Sequence, residues 1–316
     1  MNASLYTINC FKTSSSIPYQ TQKDGTLYVA IVLLFISSVP NVLMNVYIIA
    51  MTFYSKDLHS SSNILMASTS FFDLLNGLFS FIPYAAILIM TFSKKHNCIL
   101  YLVNQYAYNS FSTVSLIMVY VNSIDRYVAV FNPFFYHKYI KNNPRLYIKF
   151  ACVTSSLFLL IGGLSFLTEN KLLIHTIILF ISPIFIVTVL YIHIRLYFRA
   201  RFVRKVILAQ VSGIFGFSEE NRPKNKINRK KKICKELKTN KLTLMVCIST
   251  CIAHIPLFLL LFLWFSKPLS RKWDWTYNFN LWAHILTLMK SLINPIIYLN
   301  GSKSLRKGIN RVWQST

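Results

Sequence analysis

Ser123-Ile124-Asp125-Arg126-Tyr127-Val128-Ala129-Val130-Phe131-Asn132-Pro133-Phe134-Phe135-Tyr136 closes an apolar run that starts near Ile99. A run of that length reads as one membrane-crossing helix, and its foot carries an adjacent acid and base. Charges at the end of an intramembrane helix are costly unless they pair or do work there. The plain structural reading is a pair of interfacial charges, with Arg126 snorkelling to water. The spacing Asp-Arg-Tyr-x-Ala-Val-x-x-Pro-x-x-Tyr is more specific than that reading needs, so the rest of the chain has to be asked whether it agrees.

Outward from this stretch, composition sets the class. Of 316 residues, 54% are hydrophobic and only 14% charged, with a positive mean hydropathy of +0.46. That excludes one ordinary soluble domain and points to a polytopic membrane protein. The net charge of +25 would suit nucleic acid, but the lysines and arginines lie between and after the apolar runs, so no nucleic-acid partner is expected. Six cysteines are widely spaced and form no metal-ligand pattern. The N-terminal residues are polar and the first apolar run starts near Leu27, so the first span is expected to serve as its own insertion signal.

Seven runs reach the roughly 20 residues a hydrocarbon core demands: about 27–54, 63–92, 98–130, 146–168, 172–198, 241–266 and 275–299. Gly162-Gly163 and the polar residues Thr168 to Lys171 favour a turn between the fourth and fifth over one very long helix. With the N-terminus outside, 25 of the 34 Lys and Arg fall on the cytoplasmic side, 14 of them between Arg199 and Lys241, and 8 fall outside. Lys290 lies within the seventh span. The excess of inner positive charge fixes that orientation and puts Asp125 and Arg126 at the cytoplasmic face. The expected fold is therefore all-α: a seven-transmembrane helix bundle at 27–299, with a tail outside at 1–26 and a basic third cytoplasmic loop at 199–241. Residues 300–316 are expected to form a short amphipathic eighth helix and tail on the membrane, with Leu305, Ile309 and Trp313 toward lipid. Asn2-Ala3-Ser4 is a glycosylation sequon in the outer tail.

Several polar residues sit at membrane depth, where they are expected to face the bundle. Asn41 and Asn45 lie in the first span, Asp73 is an isolated acid in the second, and Asn294-Pro295-Ile296-Ile297-Tyr298 ends the seventh. Together with the Asp125-Arg126-Tyr127 stretch, Pro183-x7-Tyr191 in the fifth span and Pro256 in the sixth, these resemble rhodopsin-like G-protein-coupled receptors over about residues 27–312. The short second outer loop and the Ser302-x-x-Leu305-Arg306 phrase are similar to the melanocortin and lysophospholipid group.

The resemblance implies a receptor, not an enzyme, that carries the binding of an extracellular ligand of unknown class to a heterotrimeric G protein, in contact with membrane lipid and without a cofactor. It implies an activation switch of Asp125, Arg126, Tyr127, Tyr191, Asn294, Pro295 and Tyr298. Glu236, twenty residues before Pro256, takes the place of the acid that pairs with the third-helix arginine. It also implies an internal sodium-type site of Asp73, Asn45, Ser115, Ser291 and Asn294. There the chain departs from the pattern, since Lys290 stands where an asparagine is usual. The only acid expected at similar depth is Asp73, so Lys290 is expected to pair with it and supply the charge that sodium supplies elsewhere. The alternative is that Lys290 points along the helix toward a water-filled pocket and leaves sodium bound.

Met44 replaces a usual glycine, His254 a usual tryptophan, and the fourth span lacks its tryptophan. Tyr108, His254 and His284 are ligand-pocket candidates by depth and facing. Tyr108 occupies the position of an aspartate in amine receptors, which argues against an amine. Cys10 and Cys98, the cysteines placed outside, are candidates for a disulfide, with two free thiols as the alternative. An opsin would need its lysine at Leu288, and a transporter or channel would be expected to show internal repeats, of which there is none.

Overall fold

The computed structural model describes residues 7–10, 13–16, 24–55, 58–93, 97–140, many of 143–161, 184–202, 224–266, 274–302 and 305–306. Helices dominate: α1 (Asp24–Tyr54), α2 (Ser61–Phe92) and α3 (Cys98–Phe131) come first. Helical residues between 149 and 161 form α4, and residues 184–202 form α5. Then come α6 (Lys224–Ser266) and α7 (Asp274–Gly301). Among the described residues, α1, α2, α3 and the Asn240–Leu260 part of α6 are long and apolar enough to cross a membrane. The junction between the fourth and fifth spans lies outside the described residues.

One element departs from the all-α expectation. Thr7–Cys10 (β1) pairs antiparallel with Thr13–Ser16 (β2), Thr7 opposite Ser16 and Cys10 opposite Thr13. These segments are too short and polar to span a membrane, and their threonines and isoleucine suit a pleated pair.

The bundle is layered, and chain order shows how. At the Tyr108 end, Leu34, Phe81, Leu88, Tyr108, Leu281 and Leu288 belong to one apolar cluster. At the Arg126 end, Ile48, Met66, Val119, Val246 and Tyr298 belong to another. Between them on each helix lie Asn45 on α1, Asp73 and Asn76 on α2, Ser115 on α3, and Lys290, Ser291 and Asn294 on α7, all fully buried. Outside, the pattern inverts: Phe35, Leu43, Phe53, Val187 and Ile194 are more than half exposed. An apolar exterior around a polar interior is what a lipid-facing bundle requires.

Two local features shape the polar layer. Within α2, Gly77–Phe81 forms a π turn, and such a turn shifts the carbonyl ladder. Ser80 O there accepts from Asn104 Nδ2 at 2.8 Å. Gly77 itself is required by packing, because a Cβ at that position would overlap Asn41 Nδ2. At the opposite end of the bundle, a Cβ on Gly301 would overlap Leu242 on α6. Just beyond, Leu305 is buried against the bundle, its carbonyl accepting from Tyr47 Oη at 3.0 Å. Leu305 therefore serves as a core residue rather than the lipid-facing one expected, because the chain turns inward so closely at Gly301. Ile309 and Trp313 lie outside the described residues.

Candidate functional site

The polar layer is a connected network across four helices. Ser115 Oγ donates to Asp73 Oδ1 at 2.7 Å, and Asn294 Nδ2 donates to Asp73 Oδ2 at 2.8 Å. Lys290 Nζ donates to Ser115 Oγ at 3.0 Å. Asn76 Nδ2 reaches Ser291 Oγ at 3.1 Å, and Asn45 Nδ2 reaches Ser291 O at 3.2 Å and Asn41 Oδ1 at 2.7 Å. All six residues named for the sodium-type site are thus brought together, with Asn41 and Asn76 as neighbours that sequence reading did not place in it. Lys290 and Asp73 do not touch. They lie beyond the 4.0 Å of a direct ion pair, and the Ser115 hydroxyl stands between them, accepting from the ammonium while donating to the carboxylate. The Lys290 ammonium thus stands one hydroxyl away from Asp73, and a second cation beside it would be repelled.

At the Arg126 end, the guanidinium is held from two sides. Arg126 pairs with Asp125, Nε lying 2.8 Å from Oδ2, and Nη2 donates to Tyr136 Oη at 3.1 Å. Both charged residues are buried, Asp125 at 2% and Arg126 at 8% exposure. Burial holds the Tyr136 phenol above its ordinary range, the nearby Arg126 charge opposing the shift. Tyr127 stacks on Phe131 with centroids 4.5 Å apart. Tyr298 is buried, and its hydroxyl has no hydrogen-bond partner among the described residues.

Tyr191 is not part of this site. It is 55% exposed and lies under Arg195, 5.8 Å from ring centroid to guanidinium. The reason is helical phase: Val189, Ile192, His193 and Leu196 form the buried stripe of α5 at spacings of three and four, which puts position 191 on the far face. The side chain of Glu236 lies outside the described residues, as do Pro183, the side chain of Cys10, and Asn2.

The ligand-pocket candidates divide. Tyr108 and His284 stack with centroids 3.7 Å apart, and Tyr84 lies 4.4 Å from His284. His284 Nε2 has no hydrogen-bond partner among the described residues, and Tyr108 Oη faces the Thr287 hydroxyl. His254 instead contacts Thr250 O through Nδ1 at 2.7 Å and packs along Phe258. On the turn before Pro256, Ala253 O accepts from Thr287 Oγ1 of α7 at 3.2 Å, which ties α6 to α7. Cys98 is disulfide-bonded, whereas Cys152, Cys247 and Cys251 are free thiols.

Comparison with known proteins agrees with this arrangement. A family model described as the seven-transmembrane receptor (rhodopsin family) matches residues 44–172 and 165–298. The galanin receptor 2b of Danio rerio is 29% identical over 111 residues, or 34% of this chain. The chain covers a quarter of that relative's length, 25%, and the match gives the melanocortin and lysophospholipid grouping no support. With most of its length matched and its intramembrane acid, Asp-Arg-Tyr and Asn-Pro-x-x-Tyr residues in one bundle, the chain belongs to the seven-transmembrane receptor (rhodopsin) family.

Proposed function

We propose that the chain sits in the cell membrane with its N-terminus outside and carries the binding of an extracellular ligand to a heterotrimeric G protein at the Arg126 end, without enzymatic activity. The observation that carries this reading is the caged Arg126. A buried guanidinium tied to its neighbour Asp125 and to Tyr136 is a charge withheld from solvent, ready for release when the helices rearrange. Tyr298 fits the same account, since it is buried at the Arg126 end in the cluster that joins α3, α6 and α7. A ligand shifts such an equilibrium only through unequal affinity for the two arrangements.

Tyr84, Tyr108 and His284 are the best-supported ligand contacts. The stacked rings and the His284 Nε2 left without a partner among the described residues call for a ligand with a neutral hydrogen-bonding group and an aromatic or apolar face. The 25 basic residues assigned to the inner side meet anionic lipid and the G protein. Glu236 supplies a further restraint on Arg126, and Cys10 is the partner of the bridged Cys98. A retinal-bearing photoreceptor is disfavoured on a specific contact: Leu288 lies in the apolar cluster, and the nearby Lys290 is committed to Ser115.

The test is G-protein dissociation in cells challenged with an extract library, with Arg126→Ala as control. Responses present in the unmodified protein and lost in Arg126→Ala at equal surface expression support the reading. Equal responses in both refute it.

A further inference from the structure

One buried polar cluster lies outside every motif above. Ser123 on α3, His193 on α5 and Cys247 on α6 meet at the Arg126 end, each no more than 4% exposed. His193 Nε2 lies 2.9 Å from Cys247 Sγ and 3.2 Å from Ser123 Oγ, and the two side chains Ser123 and Cys247 are 3.1 Å apart. Ser123 spends its proton on Val119 O at 2.9 Å, so toward the other two it accepts. Either His193 donates through Nε2 to Ser123, or it accepts the thiol proton of Cys247. With the proton on Nε2, His193 and the Cys247 thiol both donate to Ser123 and α3, α5 and α6 are joined; in the other tautomer the thiol donates to His193 and ties α5 to α6.

The surroundings give the cluster its leverage. Val119 and Val189 line the space around Cys247 with hydrocarbon, together with Leu116, Tyr120, Phe185 and Cys251. Moving α6 outward would strip Cys247 from both partners and leave polar groups unpaired in an apolar environment, which costs free energy.

We propose that Ser123, His193 and Cys247 form a three-helix clasp that holds α6 against α3 and α5 and so sets the resting balance between the receptor's two arrangements. The inference rests on reading the chain as a two-state receptor, but its test does not need a G protein. Full-length protein in lipid nanodiscs carries spin labels on noncanonical amino acids at positions 54 and 241, the α1 end and the start of the intramembrane part of α6. Both positions are exposed. Distance distributions are recorded for the unmodified chain, Cys247→Ala, Ser123→Ala and Cys247→Ser.

Each alanine variant is expected to raise the outward fraction about fivefold, the equivalent of about 1 kcal/mol for one net hydrogen bond. Combining the two alanines should add little more. Cys247→Ser, which keeps a donor and acceptor, should stay within about twofold of the unmodified chain. If one alanine variant does not yield folded protein, the other decides. Alanine variants that shift α6 no more than Cys247→Ser overturn the clasp whatever their signalling. Shifted α6 with no coupling to any G protein leaves the clasp standing and removes the receptor reading instead.

Discussion

Replacing Lys290 with methionine removes a buried ammonium while keeping side-chain length. In the structure the ammonium reaches Asp73 only through the Ser115 hydroxyl, which sets the two charges about 5 Å apart. At an effective dielectric constant of about 20, unit charges at that distance attract by about 3 kcal/mol. Lys290→Met forfeits that attraction and strands a carboxylate with only the neutral donors Ser115, Asn294 and Ser291 around it. Asp73→Asn strands the lysine by the same argument. The double variant removes both charges and should recover most of the loss. Unfolding free energies measured by steric trapping in bicelles for the four proteins close a double-mutant cycle, with an expected coupling of about 3 kcal/mol. Single-variant losses that add to within about 0.5 kcal/mol would show that the two groups are energetically independent and would refute the reasoning. A companion measurement uses Lys290→Asn, which should acquire a sodium-dependent thermal stability that the unmodified chain lacks. A sodium effect already present in the unmodified chain, and absent with a bulky cation, would contradict the built-in cation.

Other perturbations test other parts of the account. Tyr136→Phe removes the 3.1 Å bond to Arg126, worth about 1 kcal/mol at a partly exposed site, and should raise basal G-protein dissociation severalfold; unchanged basal activity would remove Tyr136 from the cage. Because burial raises the Tyr136 phenol, whatever stability it lends is complete below the ordinary tyrosine range and falls only as pH climbs above about 10. Stability that changes between about pH 8 and 9 must then come from other groups. Gly77→Ala pushes a methyl group into Asn41, an overpacking that costs about 1–3 kcal/mol; folding yield in membranes should drop, and an equal yield would mean the contact relaxes freely. Mass spectrometry of unreduced surface protein should recover a peptide linking Cys10 and Cys98, and a free Cys10 thiol in folded protein would reassign the bridge.

What could be read from the sequence was whatever the membrane makes conspicuous. Asp73, Lys290 and the Asp125-Arg126 pair are charges in or beside apolar runs, where each demands a reason, and all four proved buried. Facing was harder. Tyr191 matched a spacing, but the phase of α5 decides which side a residue takes, and Val189, Ile192, His193 and Leu196 claim the inner one. The mediation of the Lys290–Asp73 contact by Ser115 depends on ångström-scale placement of three helices. The clasp joins residues 70 and 124 positions apart in the chain. Serine, histidine and cysteine are each unremarkable in a membrane helix, so only their meeting in space marks them. Asn104 was silent for another reason: its acceptor exists because the π turn at Gly77–Phe81 re-aims a carbonyl.

The central claim, that this bundle drives a G protein through Arg126, is tested most directly by nucleotide exchange on purified heterotrimeric G proteins added to the receptor in nanodiscs. The Cys247→Ala background makes the measurement independent of an identified ligand. The account predicts exchange above that of empty nanodiscs for at least one G-protein subtype, and its loss when Arg126→Ala is added. Exchange that persists undiminished in Arg126→Ala, or a rate no different from empty nanodiscs across all subtypes while α6 is demonstrably displaced, would contradict it.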